Sequence, residues 1–138
     1  MAYNNIHRIE HIRFVRNLPV KANEVIKKGE LILSQDADGY CVKGAGQASC
    51  KGVGVAIEDV DATGLASGAA TIDVEQGIFL FDNSGTDAIA IADVAKKGTA
   101  YCEDYKTVAK TAGALSPVGP IVALGWETLG GVAVRIES

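Results

Sequence analysis

The chain is predicted to be all-β, a jelly-roll-like β-sandwich with an extended N-terminal arm. Three observations predict this class. Several short runs alternate polar and apolar residues without a fault. Gly-rich or Asp/Asn-rich turn signals recur about every ten residues, the spacing of a sandwich or barrel. No long apolar face with a 3.6-residue period and no capping box before an apolar run is present.

Taken in order, residues 1–17 differ from the rest. Ile6, Ile9, Ile12 and Phe14 are interleaved with His7, Arg8, Glu10, His11, Arg13 and Arg16. The isoleucine spacing fits helical turns, while Ile12-Arg13-Phe14-Val15-Arg16 fits a strand equally well, and Pro19 stops any helix. The expected organisation is a basic arm over residues 1–19, with a strand near its end, and a β-sandwich over 20–138. Strands are expected at about 12–16, 30–34, 39–43, 53–58, 70–76, 78–81, 88–91, 99–103, 106–109, 121–126 and 132–137. Thr71-Ile72-Asp73-Val74-Glu75 and Val132-Ala133-Val134-Arg135-Ile136-Glu137 show period two most cleanly, with the apolar set on one face. Gly77–Phe81 and Ala88–Ala92 flank Asp82–Asp87 and read as a hairpin with a longer loop. Only Ala92–Ala95 suggests a turn of helix. Ile72, Val74, Val53, Val55, Ile57, Leu124, Val132, Val134 and Ile136 are expected in one core.

A segment also returns in altered form. Val25-Ile26-Lys27-Lys28-Gly29-Glu30-Leu31 is echoed by Val94-Ala95-Lys96-Lys97-Gly98-Thr99-Ala100, each a basic turn entering a short apolar run. Lys-Lys-Gly suits a turn because Gly accepts positive φ and the lysines stay in water. The echo predicts an internal duplication, with both steps at equivalent turns.

The 138 residues suffice for one domain with its own core. The net charge of −4 is uneven: residues 1–22 hold Arg8, Arg13, Arg16 and Lys21 against Glu10, while the remainder is acidic. A basic arm on an acidic body can dock on an acidic surface or on a neighbouring copy. The acidic body and the scarcity of aromatic platforms argue against nucleic acid. No stretch reads as a signal peptide or membrane span. Cys41, Cys50 and Cys102 lack CxxC spacing and are read as free, structural thiols.

No motif carries catalysis. His7 and His11 lack the neighbouring glutamate of a metalloprotease helix and any third histidine, so they read as surface or interface groups. Asp36-Ala37-Asp38-Gly39 lacks the later ligands of a calcium loop and reads as a tight turn. Glu58-Asp59-Val60-Asp61 and the Asp82–Asp87 loop read as solvated acids. Gly44-Ala45-Gly46 and Gly52-Val53-Gly54 are not nucleotide loops, because no Gly-Lys-Ser/Thr follows. Trp126 reads as a core or interface anchor.

The run Val25-Ile26-Lys27-Lys28-Gly29-Glu30-Leu31, then Asp38-Gly39-Tyr40 and Gly52-Val53-Gly54-Val55-Ala56, resembles the capsid cement, or head decoration, proteins of tailed phages. Ala66-Ser67-Gly68 leading into Ile72-Asp73-Val74-Glu75-Gln76-Gly77 belongs to the same resemblance, which covers roughly residues 20–137. It implies a β-sandwich or jelly roll without catalysis or cofactor. It further implies a virion protein made in the bacterial host cytoplasm that clamps major capsid subunits from outside. The expected partners are the major capsid protein and other copies of the chain, a dimer before a trimer, with no nucleic acid and no membrane. Physics alone, outside the resemblance, places the contact on Arg8, Ile12, Arg13, Phe14 and Arg16. The competing expectation is a stand-alone binding module for carbohydrate or protein, whose aromatic candidates are Tyr101 and Tyr105.

Overall fold

A computed structural model describes residues 14–126 and 130–137, without the side chains of residues 126 and 130. The chain runs β1 (Phe14–Pro19), β2 (Val25–Ile26), β3 (Leu31–Gln35), β4 (Cys41–Lys43), β5 (Cys50–Ala56), β6 (Val60–Asp61) and β7 (Thr71–Asn83). It continues through the short helix α1 (Ile91–Ala95) into β8 (Thr99–Cys102), β9 (Thr107–Ala109), β10 (Pro117–Trp126) and β11 (Gly130–Ile136). Strand occupies 53% of the described residues and helix 4%, so the all-β class stands.

The architecture is more specific than the jelly-roll sandwich expected. β7 pairs β9, β9 pairs β8, β8 pairs β10, β10 pairs β11, and β11 returns to β7, which closes a five-stranded barrel. A second ring shares β7: β1 pairs β7, β7 pairs β5, β5 pairs β3 and β3 pairs β4. That ring closes where Val20, just past β1, bridges Cys41 of β4 in parallel. The thirteen-residue β7 belongs to both rings, which is why its two halves, expected as separate strands, are continuous. The first half, from Thr71, pairs β1 and β5, and the second pairs β11 and β9.

The two rings repeat one plan. In the first, β3 pairs β4 and β5, and β5 pairs β7; in the second, β8 pairs β9 and β10, and β10 pairs β11. Each ring has one parallel contact, Val20 with β4 and β7 with β9. The Lys-Lys-Gly steps stand directly before β3 and β8, at corresponding places. Their turns differ in detail, with left-handed φ at Gly29 (+91°) in one and at Lys97 (+57°) in the other.

Instead of one core there are two. Val20, Ile26, Ile32, Cys41, Val53, Ile72 and Val74 fill the first barrel. Phe81, Ala100, Cys102, Val108, Val118, Ile121, Val132, Val134 and Ile136 fill the second, joined by Leu31, Leu33, Val42 and Cys50. Leu31-Ile32-Leu33 therefore sits between the cores, Ile32 facing one and its neighbours the other, all three fully buried. A strand covered on both faces reads as a continuous apolar run, as this one does. Val55 and Leu124 pack partly buried against the second core, and Ile57 belongs to neither.

Residues 88–91 are not a strand. The Asn83 side chain accepts from the Ile89 amide and donates to its carbonyl, at 2.8 and 3.0 Å. The Asp93 carboxylate accepts the Ala90 amide at 2.8 Å, starting α1. The Ala-Ile alternation buries only Ile89 on one side, too little to hold a strand against these caps. Residues 14–19, at the end of the expected arm, form β1 of the first ring.

Candidate functional site

Of the residues expected to make the contact, Arg8, Ile12 and Arg13 lie outside the described residues, as do His7 and His11. Phe14 and Arg16 open β1, opposite Gln76 and Val74 of β7. Phe14 is 52% exposed and Val15 44%, although the two point to opposite faces of the strand. Each is thus about half open to solvent at the start of the strand. Asn17 anchors the strand by donating to the Asp73 carboxylate at 2.8 Å. Arg16 is exposed and close enough to Cys41 to favour its thiolate weakly.

The edges of β1 are unequal. In an antiparallel ladder, alternate residues direct their N–H and C=O to opposite sides. The Val20 amide bonds the Ala70 carbonyl in the β1–β7 register, so even-numbered residues face β7. Odd-numbered residues face the other edge, where the Lys21 amide meets the Cys41 carbonyl. At Val15 and Asn17 no described strand runs along that outer edge.

The acids elsewhere are engaged in holding backbone. Asp59 accepts the Lys28 amide at 2.7 Å, Glu58 the Asp73 amide at 3.0 Å, and Asp87 the Thr111 amide at 2.8 Å. Asp61 accepts the Thr63 amide at 2.9 Å, and hydrogen bonds from Thr63 hold its carboxyl below the usual range. Asp36–Gly39 forms the expected turn, with Asp38 accepting from the Tyr40 amide. Among the described residues no group of three or more His, Cys, Asp or Glu side chains is placed to hold a metal ion.

All three cysteines are free and buried. Burial pushes the Cys41 thiol up to about 11 and the Cys102 thiol up to about 12, and it also raises Cys50. They behave as core residues, not nucleophiles. Tyr101 is half-buried on β8 and Tyr105 exposed in the turn after it. The Lys43 ammonium lies 5.5 Å from the Tyr105 ring centre, so that ring already has a cation on one face. Tyr105 also lines a cleft of about 290 Å³ at the junction of the barrels, with Gly29, Val55, Phe79, Phe81 and Lys106. Neither β7's shared role nor this cleft was visible in the sequence, because both depend on which strands meet.

Comparison of the chain with protein-family models, with curated proteins and with solved structures finds no match.

Proposed function

We propose that the protein is a structural virion protein that binds the outside of a phage capsid shell and clamps neighbouring major capsid subunits. The observation that carries this reading is the start of β1. Two large apolar side chains stand exposed there on opposite faces, beside an outer edge along which no described strand runs. The segment that enters this strand is basic, and the body it leaves is acidic. A strand edge of this kind takes a partner by main-chain hydrogen bonds, with apolar side chains fixing the register and arginines meeting acidic neighbours. Shared β7 and the doubly covered β3 make the two barrels a stiff unit, which suits a clamp. On this reading the protein has no catalytic role and needs no cofactor. Copies of it meet on the shell.

Co-sedimentation with purified, undecorated heads of its own phage tests the reading. The full chain is expected to pellet with the heads and to raise their melting temperature. Phe14→Asp and Val15→Asp, which keep the buried face of the barrel intact, are expected to bind at least about tenfold more weakly, the usual scale of a lost apolar anchor. A full chain that stays in the supernatant at low salt overturns the reading. So does retention on a glycan array with no affinity for heads, which would favour the binding-module alternative.

A further inference from the structure

The cleft at the barrel junction carries two charges that neither the fold nor the start of β1 uses. Four elements meet there: the Lys-Lys-Gly turn at Gly29, β5 at Val55, β7 over 79–82, and the β8–β9 turn at Tyr105 and Lys106. Gly29 has φ +91°, and beyond its chain neighbours no atom lies within 4 Å of where a Cβ would stand. The turn therefore leaves that wall open. Val55 and Phe79 are half-buried, Phe81 is buried and Tyr105 exposed, so the walls are apolar and largely aromatic. At the rim stand the Asp82 carboxylate and the Lys106 ammonium, both on exposed residues. The Asp82 amide donates to the Lys106 carbonyl at 2.8 Å, so the two residues are neighbours across the β7–β9 seam. Among the described residues neither charged group has a hydrogen-bond or ion-pair partner.

We propose that this cleft binds a free α-amino acid with an aromatic or large branched apolar side chain. Ligand sites pair apolar walls with a few placed polar groups that fix orientation. Here the polar groups are charges of both signs, side by side. The ligand that matches them carries an ammonium and a carboxylate close together, as an α-amino acid does. Its ammonium meets Asp82, its carboxylate meets Lys106, and its side chain enters between Val55, Phe79, Phe81 and Tyr105. A ligand with one charge leaves the other rim group without a partner. A polypeptide segment does not offer the pair, because peptide bonds remove both charges from its interior residues. Volume sets the size: about 290 Å³ lies just under the roughly 300–1,000 Å³ of drug-sized sites, so the cleft takes a single ring. Both rim charges stand in water, which screens them, and so small a ligand is expected to bind with a dissociation constant of about 1 mM. The inference goes beyond the capsid reading and concerns the free protein, so either can fail without the other.

Titration of the full chain with L-phenylalanine, followed by amide NMR shifts, tests the site. Saturable shifts are expected at Leu80, Asp82, Tyr105 and Lys106, with Ile72 and Val74 in the first core unmoved. Phenylacetate lacks the ammonium and phenethylamine the carboxylate, and each is expected to bind about threefold more weakly, the scale of one exposed ion pair. L-alanine lacks the ring and is expected to bind at least about tenfold more weakly. Asp82→Asn and Lys106→Met change exposed side chains, and each is expected to weaken L-phenylalanine about threefold. If a variant fails to fold, the analogues decide, because they leave the protein unchanged. Shifts that show no saturation by about 20 mM overturn the proposal. Equal affinity for L-phenylalanine and either single-charge analogue also overturns it, as does saturation confined to residues away from the cleft.

Discussion

Between β7 and β9 the second barrel is sealed by two parallel residue pairs, and the amides of Asp82 and Ser84 carry its ladder on. The first barrel is sealed only where Val20 meets Cys41, with the Lys21 amide on the Cys41 carbonyl beside it. The same plan has thus been closed to different degrees. The second core is also larger, and it borrows Leu31, Leu33 and Val42 from the wall of the first. Local opening starts where few backbone bonds and little apolar area hold a seam, so the first barrel opens first at Val20–Cys41. The borrowed wall has the opposite effect on global unfolding: melting the first barrel exposes part of the second core. The barrels are therefore expected to unfold together while they breathe separately.

Paired truncations on the shared strand test that expectation most severely. Phe81→Ala, in the second core, is expected to cost about 3–5 kcal/mol, and Ile72→Ala, fully buried in the first, about 2–5 kcal/mol. In urea both variants should show one transition, with its midpoint lowered and its slope unchanged. Two separated transitions, with Ile72→Ala moving only one of them, would break the idea of a single cooperative unit.

A smaller effect is expected at two glycines, one on β5 and one on β11, that lie against the backbone of the shared strand. Gly54 lies at φ +155° with a notional Cβ 2.6 Å from the Glu75 carbonyl oxygen, and Gly131 lies at +75° with one equally close to that of Phe81. Each precedes a residue paired with β7, Val55 in one barrel and Val132 in the other. Alanine at either site is expected to cost about 1–3 kcal/mol, because the obstacle is backbone on the shared strand. Melting temperatures of the two variants check this. A neutral effect at one site alone would show that the backbone of β7 yields there and not at the other.

The elements were legible where one face meets water. Thr71–Glu75 and Val132–Glu137 alternate because one side is core and the other is not. The Lys-Lys-Gly echo marked two corresponding turns, one before β3 and one before β8, strands that hold the same place in their rings. What the sequence concealed was closure. Alternation reports that a strand has an inside, not which inside, so Ile72 and Val134 read as one core and proved to be two. The Ala88–Ala92 run carried a strand's alternation but a helix's cap at Asp93, and the cap prevailed. Of the contact residues, the exposure of Phe14 was foreseeable from its place among charged neighbours.

Thiol chemistry distinguishes the seams further. Raised from 9.0 to about 11, the Cys41 thiol carries about a hundredfold less thiolate at pH 8 than in an unfolded chain, and Cys102, raised to about 12, less still. Reaction with a disulfide reagent at pH 8 is expected to be slow in the native protein, with Cys41 reacting before Cys102 because it sits at the weaker seam. Because both folded values lie above the unfolded one, the stability linked to these groups is complete below about pH 9. It falls as pH rises through about 11 and then about 12. Alkaline titration followed by circular dichroism tests the sign. Cys102 modified first would place the weaker seam in the second barrel.

The smallest expected effect lies on the surface strap between the barrels. Lys43, on β4 of the first, reaches the Tyr105 ring in the β8–β9 turn of the second at 5.5 Å. It also lies 3.8 Å from the Glu30 carboxylate, which accepts the Lys27 amide. The lysine side chain is 41% exposed, so solvent screens both attractions and the ion pair is worth little. Lys43→Met keeps the stem over the ring and removes the charge. It is expected to lower stability by no more than about 1 kcal/mol. A cycle with Tyr105→Leu isolates the cation–ring part, expected at about 0.5 kcal/mol or less. The backbone already joins the barrels here, through the Leu31 amide on the Tyr105 carbonyl at 2.9 Å. That bond survives both substitutions, so the strap should tune the junction without deciding it. A coupling above about 2 kcal/mol would mean that the charge, and not the shared strand and the borrowed wall, holds the two barrels at their junction.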